Sequence, residues 1–335
     1  MISTLQRPLL NAKSYLKCNP AVNKARRLSS KTSLHRSYLY VPTSSDRMLN
    51  KSITSGSDVI IYDLEDSVSP APADKLAARK RLREFLEERS ADLHGLHVAV
   101  RVNDVTTPFF REDITQIVSH PLVKSMILPK IHSTTDLDYI SDAVSIARRR
   151  LKTPHLNVIP SIESAKGMWN LGSIASWRSS CGGITGGSLS ALLFAAEDYT
   201  GIIRTTSRRE LLYTRSQIVI TAKAFGLEAI DMVCVDFRDL DILREECDDG
   251  RQLGFTGKQA IHPSQVAVIN ATYVPTNAEI LRASQIIQAM KRAHESQKGA
   301  ADLNGKMIDA PMIKQANKVL QIAKTAGLTI PHLPE

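Results

Sequence analysis

Short apolar runs alternate with amphipathic stretches from residue 37 to residue 262. The apolar runs are rich in Val, Ile and Leu, as expected for strands that are buried on both faces of a parallel sheet. The stretches between them have helical spacing, including a short helix near Asp46, a charged helix over 73–90 and a long helix over 209–225. Eight strands are predicted: Ser37–Pro42, Asp58–Asp66, His97–Asn103, Ser125–Ile131, His155–Glu163, Leu189–Ala196, Glu228–Phe237 and Gly257–His262.

Eight strand–helix repeats are the pattern of a closed (β/α)8 barrel, a TIM barrel of the α/β class. The repeats occupy 36–265, or about 225 residues, which is a usual length for this fold. A doubly wound protein of two domains is the competing architecture, but no linker rich in Pro, Gly or Ser divides the chain. Two more helical stretches, 278–294 and 311–326, are joined by a polar segment and form a C-terminal helical appendage over 266–335.

Most of the predicted strands end in polar or charged residues. Such residues would be costly inside an apolar core, and in a barrel the carboxyl ends of the strands converge on one face, where active sites lie. The residues at these ends are Asp63, Glu65, Arg101, Asn103, Lys130, Glu163, Glu197, Asp198, Asp236 and His262. We therefore expect the functional site at this face of the barrel.

Two carboxylates at these ends suggest a metal site. Glu163 and Asp198 end neighbouring strands, and two carboxylates that come close repel each other unless one is protonated or a cation lies between them. Mg²⁺ is suited to this position, because it is typically held by one or two carboxylates and keeps waters or substrate oxygens as its other ligands. Asp63 and Glu65 would add negative charge, and Arg101 with Lys130 would offset it and could bind a substrate carboxylate. A network of salt bridges that closes the barrel end is the alternative.

The net charge of +9 belongs to the N-terminal segment. Residues 1–45 contain eight Lys and Arg residues and no Asp or Glu, so the rest of the chain has 35 basic against 34 acidic residues. A basic segment that lacks acids and is rich in Ser is typical of a mitochondrial transit peptide, which we predict over residues 1–30, with a processing site at Arg26–Ser30. A disordered basic arm that binds nucleic acid is the alternative. Because the remaining chain is nearly neutral and has no apolar run of about 18 residues, we expect neither a nucleic-acid partner nor a membrane span.

A series of motifs resembles one enzyme family. The runs SYLYVPTSSDRM, IIYDLEDSV, VRVN, ILPK, IPSIESAKG, AAEDYTG, FTGKQAIHPSQV and KMIDAP occur in this order. They are similar to the citrate lyase beta-subunit-like family, which includes malyl-CoA and citramalyl-CoA lyases, and the similarity covers about residues 36–328. The stretch that begins ELLYTRSQIVITAKAFGLEAIDMV most resembles the mitochondrial citramalyl-CoA lyase branch.

The resemblance implies a role for each matching position. It implies that Glu163 and Asp198 hold Mg²⁺, and that Arg101 binds the carboxylate of a 2-oxo acid. It further implies contacts to CoA or substrate from Tyr40, Arg47, Lys51, Ile261 and His262. Asp309 of KMIDAP matches a catalytic aspartate that reaches the active site from a neighbouring subunit of a homo-oligomer, which we expect to be a trimer.

Simpler interpretations exist for three of these residues. Asp309 precedes Ala310-Pro311 and would be a good N-cap of a helix. Lys51 on its own would be a solvated surface lysine, and His262 before Pro263 could be a buried histidine with its hydrogen bonds satisfied.

The activity that the resemblance implies is a reversible, Claisen-type cleavage of a 3-hydroxyacyl-CoA such as citramalyl-CoA to acetyl-CoA and pyruvate. Condensation by a malate or methylmalate synthase is the same reaction in the other direction. A Schiff-base aldolase that uses Lys130 is a second alternative, since such enzymes have a lysine at a strand end. A non-catalytic subunit is a third.

Deletion of residues 1–28 is expected to abolish import into mitochondria and to leave catalysis unchanged, because none of these residues belongs to the predicted repeats. Import into isolated mitochondria and the activity of the purified truncated chain are the two measurements. Normal import of the truncated chain would contradict the predicted transit peptide.

Overall fold

The computed structural model describes residues 34–149, 155–203, 207–297 and 299–333. The predicted transit peptide and its processing site lie outside the described residues. Eight strand positions form a closed parallel barrel, which confirms the predicted fold. The strands are β1 Ser37–Pro42, β2 Val59–Asp63, β3 Val98–Arg101, β4 Val123–Leu128, β5 Asn157–Ile162, β6 Ser188–Leu189 with β7 Ala191–Phe194, β8 Glu228–Asp231 and β9 Gly257–Ala260.

Helices follow the strands and surround the barrel. They are α1 Asp46–Ser52, α2 Pro72–Glu88, α3 Ser90–Leu93, α4 Phe110–Asp113 with a π-helical turn Ile114–Val118, α5 Thr134–Arg148, α6 Ala165–Trp169, α7 Leu171–Ser176, α8 Ala196–Ile203, α9 Leu212–Phe225, α10 Leu240–Leu253 and α11 Pro263–Thr272. The predicted helix over 209–225 is α9, which ends at Gly226 in the left-handed conformation. None of the described helices is long and apolar enough to cross a membrane.

Pairing of the first strand with the last closes the barrel. β1 pairs with β2 on one side and with β9 on the other, where Ser37 lies opposite Lys258. The sixth predicted strand is divided in two, since β6 and β7 both pair with β5 but are separated at Ser190. Most of the other strands are shorter than predicted, so that Glu65, Lys130 and Glu163 lie just beyond the strand ends.

Apolar side chains fill both sides of the sheet. Alternate residues point into the barrel, where they form an inner cluster of Tyr38, Val59, Ile61, Ala99, Ile127, Ile159, Ala191, Leu193 and Ile230. The residues between them pack outward against the helices in a larger cluster. Burial on both faces explains why the strands appear in the sequence as nearly continuous apolar runs.

The C-terminal unit consists of α12 Asn277–Glu295, the hairpin strands β10 Ala301–Leu303 and β11 Lys306–Ile308, and α13 Ala310–Thr325. The two helices match the predicted stretches, but the polar segment between them contains an antiparallel hairpin that was not predicted. Three-residue strands are too short to show an alternating pattern. The sequence signal that could have predicted the hairpin is Asn304-Gly305. These two residues form its turn, with positive φ angles of 55° and 75°.

A separate apolar cluster holds the C-terminal unit together. Its buried members are Ala283, Ile286, Met290, Ile308 and Ala316, and all of them come from α12, β11 or α13. The Arg251 guanidinium of α10 forms an ion pair of 2.6 Å with Glu279 of α12. The unit therefore has a core of its own beside the barrel.

Candidate active site

A cavity of about 460 Å³ opens at the carboxyl ends of the barrel strands. This is the face at which the sequence predicts the functional site. The cavity is lined by Tyr40, Pro42, Asp63, Asp66, Ser67, Arg101, Ser161, Glu163, Ala195, Ala196, Glu197, Asp198, Val233, Gln259 and Ile261. Most of its charged groups are carboxylates.

Glu163 follows β5 and is the more buried of the two predicted metal ligands, with 5% of its surface exposed. One carboxylate oxygen accepts the backbone N–H of Lys130, and the other accepts the hydroxyl of Ser161 at 3.1 Å. Lys130 has a φ of 54°, which is uncommon for a residue with a side chain. Burial and the nearby negative charge of Asp198 raise the pKa of Glu163 to about 7, against the opposing effect of the Lys130 N–H.

Asp198 lies in the first turn of α8 and is exposed to the cavity. The segment between β7 and α8 is held against β5 by a hydrogen bond: the Ala195 N–H donates to the Ile162 carbonyl at 3.2 Å. The first N–H groups of α8 have no carbonyl partner within the helix, so they are available to an anionic ligand. Glu163 and Asp198 thus line the same cavity, Glu163 from the end of β5 and Asp198 from α8.

The two carboxylates suit Mg²⁺ better than a metal that needs a complete protein ligand set. Within the described residues, no group of three or more His, Cys, Asp or Glu side chains is arranged to hold a metal. Mg²⁺ does not require such a group, because it keeps several waters or substrate oxygens. A cation beside Glu163 would also compensate the buried charge and the repulsion that raise the pKa of this carboxyl group.

Arg101, the last residue of β3, is held by an ion pair with two parallel hydrogen bonds. Its Nε lies 2.7 Å from Asp63 Oδ1, and its Nη2 lies 2.6 Å from Asp63 Oδ2. Its Nη1 lies 3.0 Å from both Glu65 and Asp66, and its Cζ lies 4.9 Å from the centre of the Tyr40 ring. Although burial alone would lower the pKa of Arg101, the charge of Asp63 raises it well above its usual value.

Asp63 also shapes the loop that follows β2. Its two oxygens accept the backbone N–H groups of Glu65 at 2.9 Å and Ser67 at 3.1 Å. The side chain therefore connects Arg101 to the loop that carries the next two acidic residues. The pKa of Asp63 is lowered, because Arg101 and these hydrogen bonds outweigh the effect of burial.

Lys130 and Glu65 form a second ion pair beside the cavity, with the Lys130 Nζ 3.1 Å from Glu65 Oε1. Burial raises the pKa of Glu65 to about 7, although Arg101 opposes this. Burial would lower the pKa of Lys130, but the carboxylates of Glu65, Asp66 and Glu163 outweigh it and raise the pKa. A Schiff-base lysine needs a neutral amine, so this environment disfavours the aldolase alternative.

The remaining predicted residues lie around the cavity or away from it. Ile261 lines the cavity, whereas Arg47 and Lys51 lie on α1, exposed and outside the lining. His262 is exposed and caps α11 by accepting the Ser264 N–H at 3.2 Å, so its interpretation as a buried histidine is wrong. Asp309 caps α13 through the Met312 N–H at 3.4 Å and does not line this cavity.

Among the lining residues that were not predicted are two polar residues of the barrel strands, Ser161 and Gln259. Both lie within strands, and Gln259 is a buried polar residue on the alternate positions that face into the barrel. The sequence signal for Gln259 was its position as a polar residue within the last predicted strand, between Lys258 and Ala260.

Comparisons with known proteins agree with this fold. The family model described as HpcH/HpaI aldolase/citrate lyase matches residues 36–263, and a model described as a C–C bond lyase of the TIM-barrel fold matches residues 205–328. The human mitochondrial citramalyl-CoA lyase is 37% identical over 309 residues, covering 89% of each chain. The citrate lyase subunit beta of Leuconostoc mesenteroides subsp. cremoris is 32% identical and covers 88% of this chain and 95% of its own length.

Solved structures are similar as well. The CitE protein of Mycobacterium tuberculosis, in complex with magnesium, acetoacetate and coenzyme A, is 27% identical, with a TM-score of 0.65, and the match covers 88% of this chain and 99% of that one. A citrate lyase from Burkholderia xenovorans has a TM-score of 0.74 at 20% identity, covering 92% of this chain and 97% of that one, and supports the fold.

The raised pKa of Glu163 predicts how stability without metal depends on pH. The folded-state pKa of about 7 exceeds the ordinary value of 4.5, so the stabilisation is full below pH 4.5 and is lost as pH rises through 7. Glu163→Gln removes this loss. We expect the variant to be more stable than the wild type at pH 8 by about 3 kcal/mol, and nearly equal to it at pH 4.5.

Urea unfolding across this pH range, in the presence of a chelator, measures the difference. Glu197→Gln is the matched control, because it removes an exposed carboxylate from the same cavity. Addition of Mg²⁺ at pH 8 should stabilise the wild type and leave Glu163→Gln unchanged. Equal loss of stability in wild type and Glu163→Gln would contradict the assigned environment of Glu163.

Proposed function

The chain belongs to the HpcH/HpaI aldolase/citrate lyase family, and from this premise we propose that it is a Mg²⁺-dependent carbon–carbon lyase. Its substrate is a 3-hydroxyacyl-CoA such as citramalyl-CoA, which it cleaves reversibly to acetyl-CoA and pyruvate. Relatives at more than 30% identity are named citramalyl-CoA lyase and (3S)-malyl-CoA thioesterase, and both names contain a CoA thioester of a hydroxy acid.

One observation carries the proposal. Glu163 and Asp198 line the same cavity as Arg101, which supports a divalent-cation site in the same cavity as a fixed guanidinium. In a 2-hydroxy acid or a 2-oxo acid, the carbon next to the carboxylate bears a hydroxyl or a keto oxygen. This pair of groups fits a cation and an arginine that are placed side by side.

Each residue has a task in the cleavage. Arg101 binds the carboxylate of the acid portion and orients it. The substrate hydroxyl releases its proton to solvent, the carbon–carbon bond breaks, and the electron pair of that bond forms the enolate of acetyl-CoA while the hydroxyl carbon becomes the keto group of pyruvate. Bound Mg²⁺, held by Glu163 and Asp198, would favour loss of that proton and stabilise the developing keto acid. Asp309 protonates the enolate carbon, or removes the methyl proton when the reaction runs as a condensation.

Contacts to CoA are assigned to α1 and the cavity rim. Arg47 and Lys51 are exposed on α1, which follows β1 at the carboxyl face of the barrel, and two cations there suit the phosphates of CoA. Ile261 lines the cavity, and His262 follows it at the start of α11. The acyl portion would extend from this rim toward Glu163.

We assign Asp309 to the active site of a neighbouring subunit. It lies directly after the hairpin of the C-terminal unit, which has a core of its own, and it does not line the cavity described in its own barrel. A unit built in this way can close over the barrel of another subunit. The proposed assembly is a homotrimer, in which every active site contains residues from two chains.

The proposed location is the mitochondrial matrix. Residues 1–30 have the composition of a transit peptide, and the relatives from human, mouse and rat that are 36–37% identical are named as mitochondrial. A matrix enzyme of this type would meet acyl-CoA thioesters as substrates.

The purified protein is expected to cleave citramalyl-CoA when Mg²⁺ is present and to lose activity in a chelator. Release of acetyl-CoA and pyruvate is measured, with malyl-CoA and citrate as competing substrates. Asp198→Asn should reduce kcat by at least about 100-fold while the fold is retained, because it removes one of two metal-binding carboxylates.

Three results would contradict the proposal: wild-type activity in Asp198→Asn with Mg²⁺, activity that survives the chelator, or trapping of the substrate on Lys130 by borohydride. The last result would favour the Schiff-base aldolase. Glu197→Gln is the matched control here too, since this neighbouring carboxylate also lines the cavity but is not assigned to the metal.

The assignment of Asp309 predicts complementation between inactive chains. Asp309→Ala and Glu163→Gln should each be nearly inactive, although Asp309→Ala still binds Mg²⁺. After subunit exchange between the two variants, part of the activity should return, because some interfaces then combine an intact Asp309 with an intact Glu163. Size-exclusion chromatography with light scattering measures the assembly, and mixing of labelled chains demonstrates exchange.

Demonstrated exchange without recovery of activity would contradict a shared active site. Asp309 would then serve its own chain or act as the N-cap of α13. Asp309→Asn separates these roles, since asparagine is also a good N-cap but is not an acid. Under the proposal it restores helix stability and leaves the enzyme inactive.

A further inference from the structure

A hydrogen-bonded pair of side chains, Tyr40 and Gln259, lies beside Arg101 in the cavity. Tyr40 belongs to β1 and Gln259 to β9, the two strands whose pairing closes the barrel. The Tyr40 hydroxyl lies 3.1 Å from Gln259 Oε1. Neither the metal carboxylates nor the substrate contacts of the proposed reaction require Gln259.

The amide of Gln259 can take one orientation. Its Nε2 donates to the Phe194 carbonyl at 2.8 Å and to the Asp231 carbonyl at 2.9 Å, the last residues of β7 and β8. Neither carbonyl can donate, so an exchanged amide would direct its oxygen at two acceptors. Oε1 must therefore face Tyr40, and the Tyr40 hydroxyl must donate to it. Since Gln259 is 2% exposed, no bulk water replaces this donor.

The Arg101 guanidinium in turn lies over the face of the Tyr40 ring, with Cζ 4.9 Å from the ring centre. Asp63 takes the Nε and one Nη2 hydrogen, and Asp66 takes one Nη1 hydrogen. A guanidinium has five N–H donors, so by this count one Nη2 hydrogen and one Nη1 hydrogen beside Glu65 are not used in these hydrogen bonds. Asp63 fixes the edge of the guanidinium, and the Tyr40 ring fixes its tilt.

We propose that Tyr40 and Gln259 are a positioning pair for Arg101 and thereby set the affinity of the site for the carboxylate of the 2-oxo acid. Gln259 holds the Tyr40 hydroxyl, the Tyr40 ring packs against the guanidinium, and Arg101, which lines the cavity, keeps N–H donors for the carboxylate of a ligand. The inference rests on the proposed function and adds residues that determine acid binding. It gives Tyr40 a different role from the CoA contact that the resemblance implies.

The inward direction of the Tyr40 hydroxyl supports this role. The hydroxyl bonds to a buried amide inside the barrel, whereas the cations assigned to the CoA phosphates lie outside on α1. Burial also raises the pKa of Tyr40 well above its ordinary value, so the hydroxyl keeps the proton that it donates.

Direct binding of pyruvate to the full chain in saturating Mg²⁺, measured by calorimetry, tests the pair. Tyr40→Phe keeps the ring and removes the anchoring hydroxyl, and we expect it to raise the Kd for pyruvate about 3- to 10-fold, the effect of one hydrogen bond. The Kd values for Mg²⁺ and for acetyl-CoA should each change less than about 2-fold, since neither ligand contains the carboxylate that Arg101 binds, whereas the KM for citramalyl-CoA, which contains it, should rise with the pyruvate Kd. Tyr38→Phe is the matched control, because Tyr38 lies on the same strand and its hydroxyl bonds to Glu228 at 3.3 Å, away from the cavity.

A double variant distinguishes positioning from general support of the barrel. Gln259→Leu should raise the pyruvate Kd to the same extent as Tyr40→Phe, and combining the two should raise it no further, since both remove one connection. Gln259→Leu should also lower Tm in either background, because it leaves the Phe194 and Asp231 carbonyls without their donor. Multiplied effects on pyruvate Kd in the double variant would overturn the inference.

Unchanged pyruvate binding in Tyr40→Phe with a raised Kd for acetyl-CoA would also overturn the inference and assign Tyr40 to CoA. The proposed function fails on a different result, namely a wild-type chain that binds pyruvate but cleaves no acyl-CoA with Mg²⁺. In that case the pyruvate affinities of the variants still decide whether the pair positions Arg101.

Discussion

Closure of the parallel sheet between β1 and β9 is the constraint on which the site depends. Residues 37 and 258 become neighbours in the sheet, and the carboxyl ends of all eight strand positions then lie on one rim. Apolar side chains fill the centre of the barrel, so the polar side chains at the strand ends cannot be buried there. The charges therefore meet at the rim and must balance one another there.

The side chains at this rim carry a net negative charge. Asp63 is neutralised by Arg101, and Glu65 is shared between Arg101 and Lys130. Glu163 has hydrogen-bond donors but no close basic side chain among its described contacts, and its raised pKa reflects that burial. A cation beside this carboxylate would compensate its charge. Under the proposed function, the ion-paired side of the cavity would bind the acid, and the side with Glu163 and Asp198 would bind the metal.

The position of Arg101 depends on contacts from several strands. Asp63 of β2 holds its edge, the ring of Tyr40 of β1 packs against it, and Gln259 of β9 anchors Tyr40. These contacts join the ends of strands that are distant in the sequence. The barrel thus supplies a rigid support for one guanidinium, whereas the C-terminal unit, with a separate core, supplies Asp309 in the proposed oligomer.

The sequence by itself determined the order of the eight strands, the polar residues at their ends and the family, because burial on both faces leaves continuous apolar runs and the motifs are local. Tertiary structure decided the rest. The hairpin before Asp309 has strands too short to show a period, and the exposure of His262 depends on the chain around it. Whether Lys130 is a charged partner or a nucleophile is decided by carboxylates from other loops. The link from Gln259 through Tyr40 to Arg101 joins residues up to 219 positions apart, and only closure of the barrel brings them into hydrogen-bond distance.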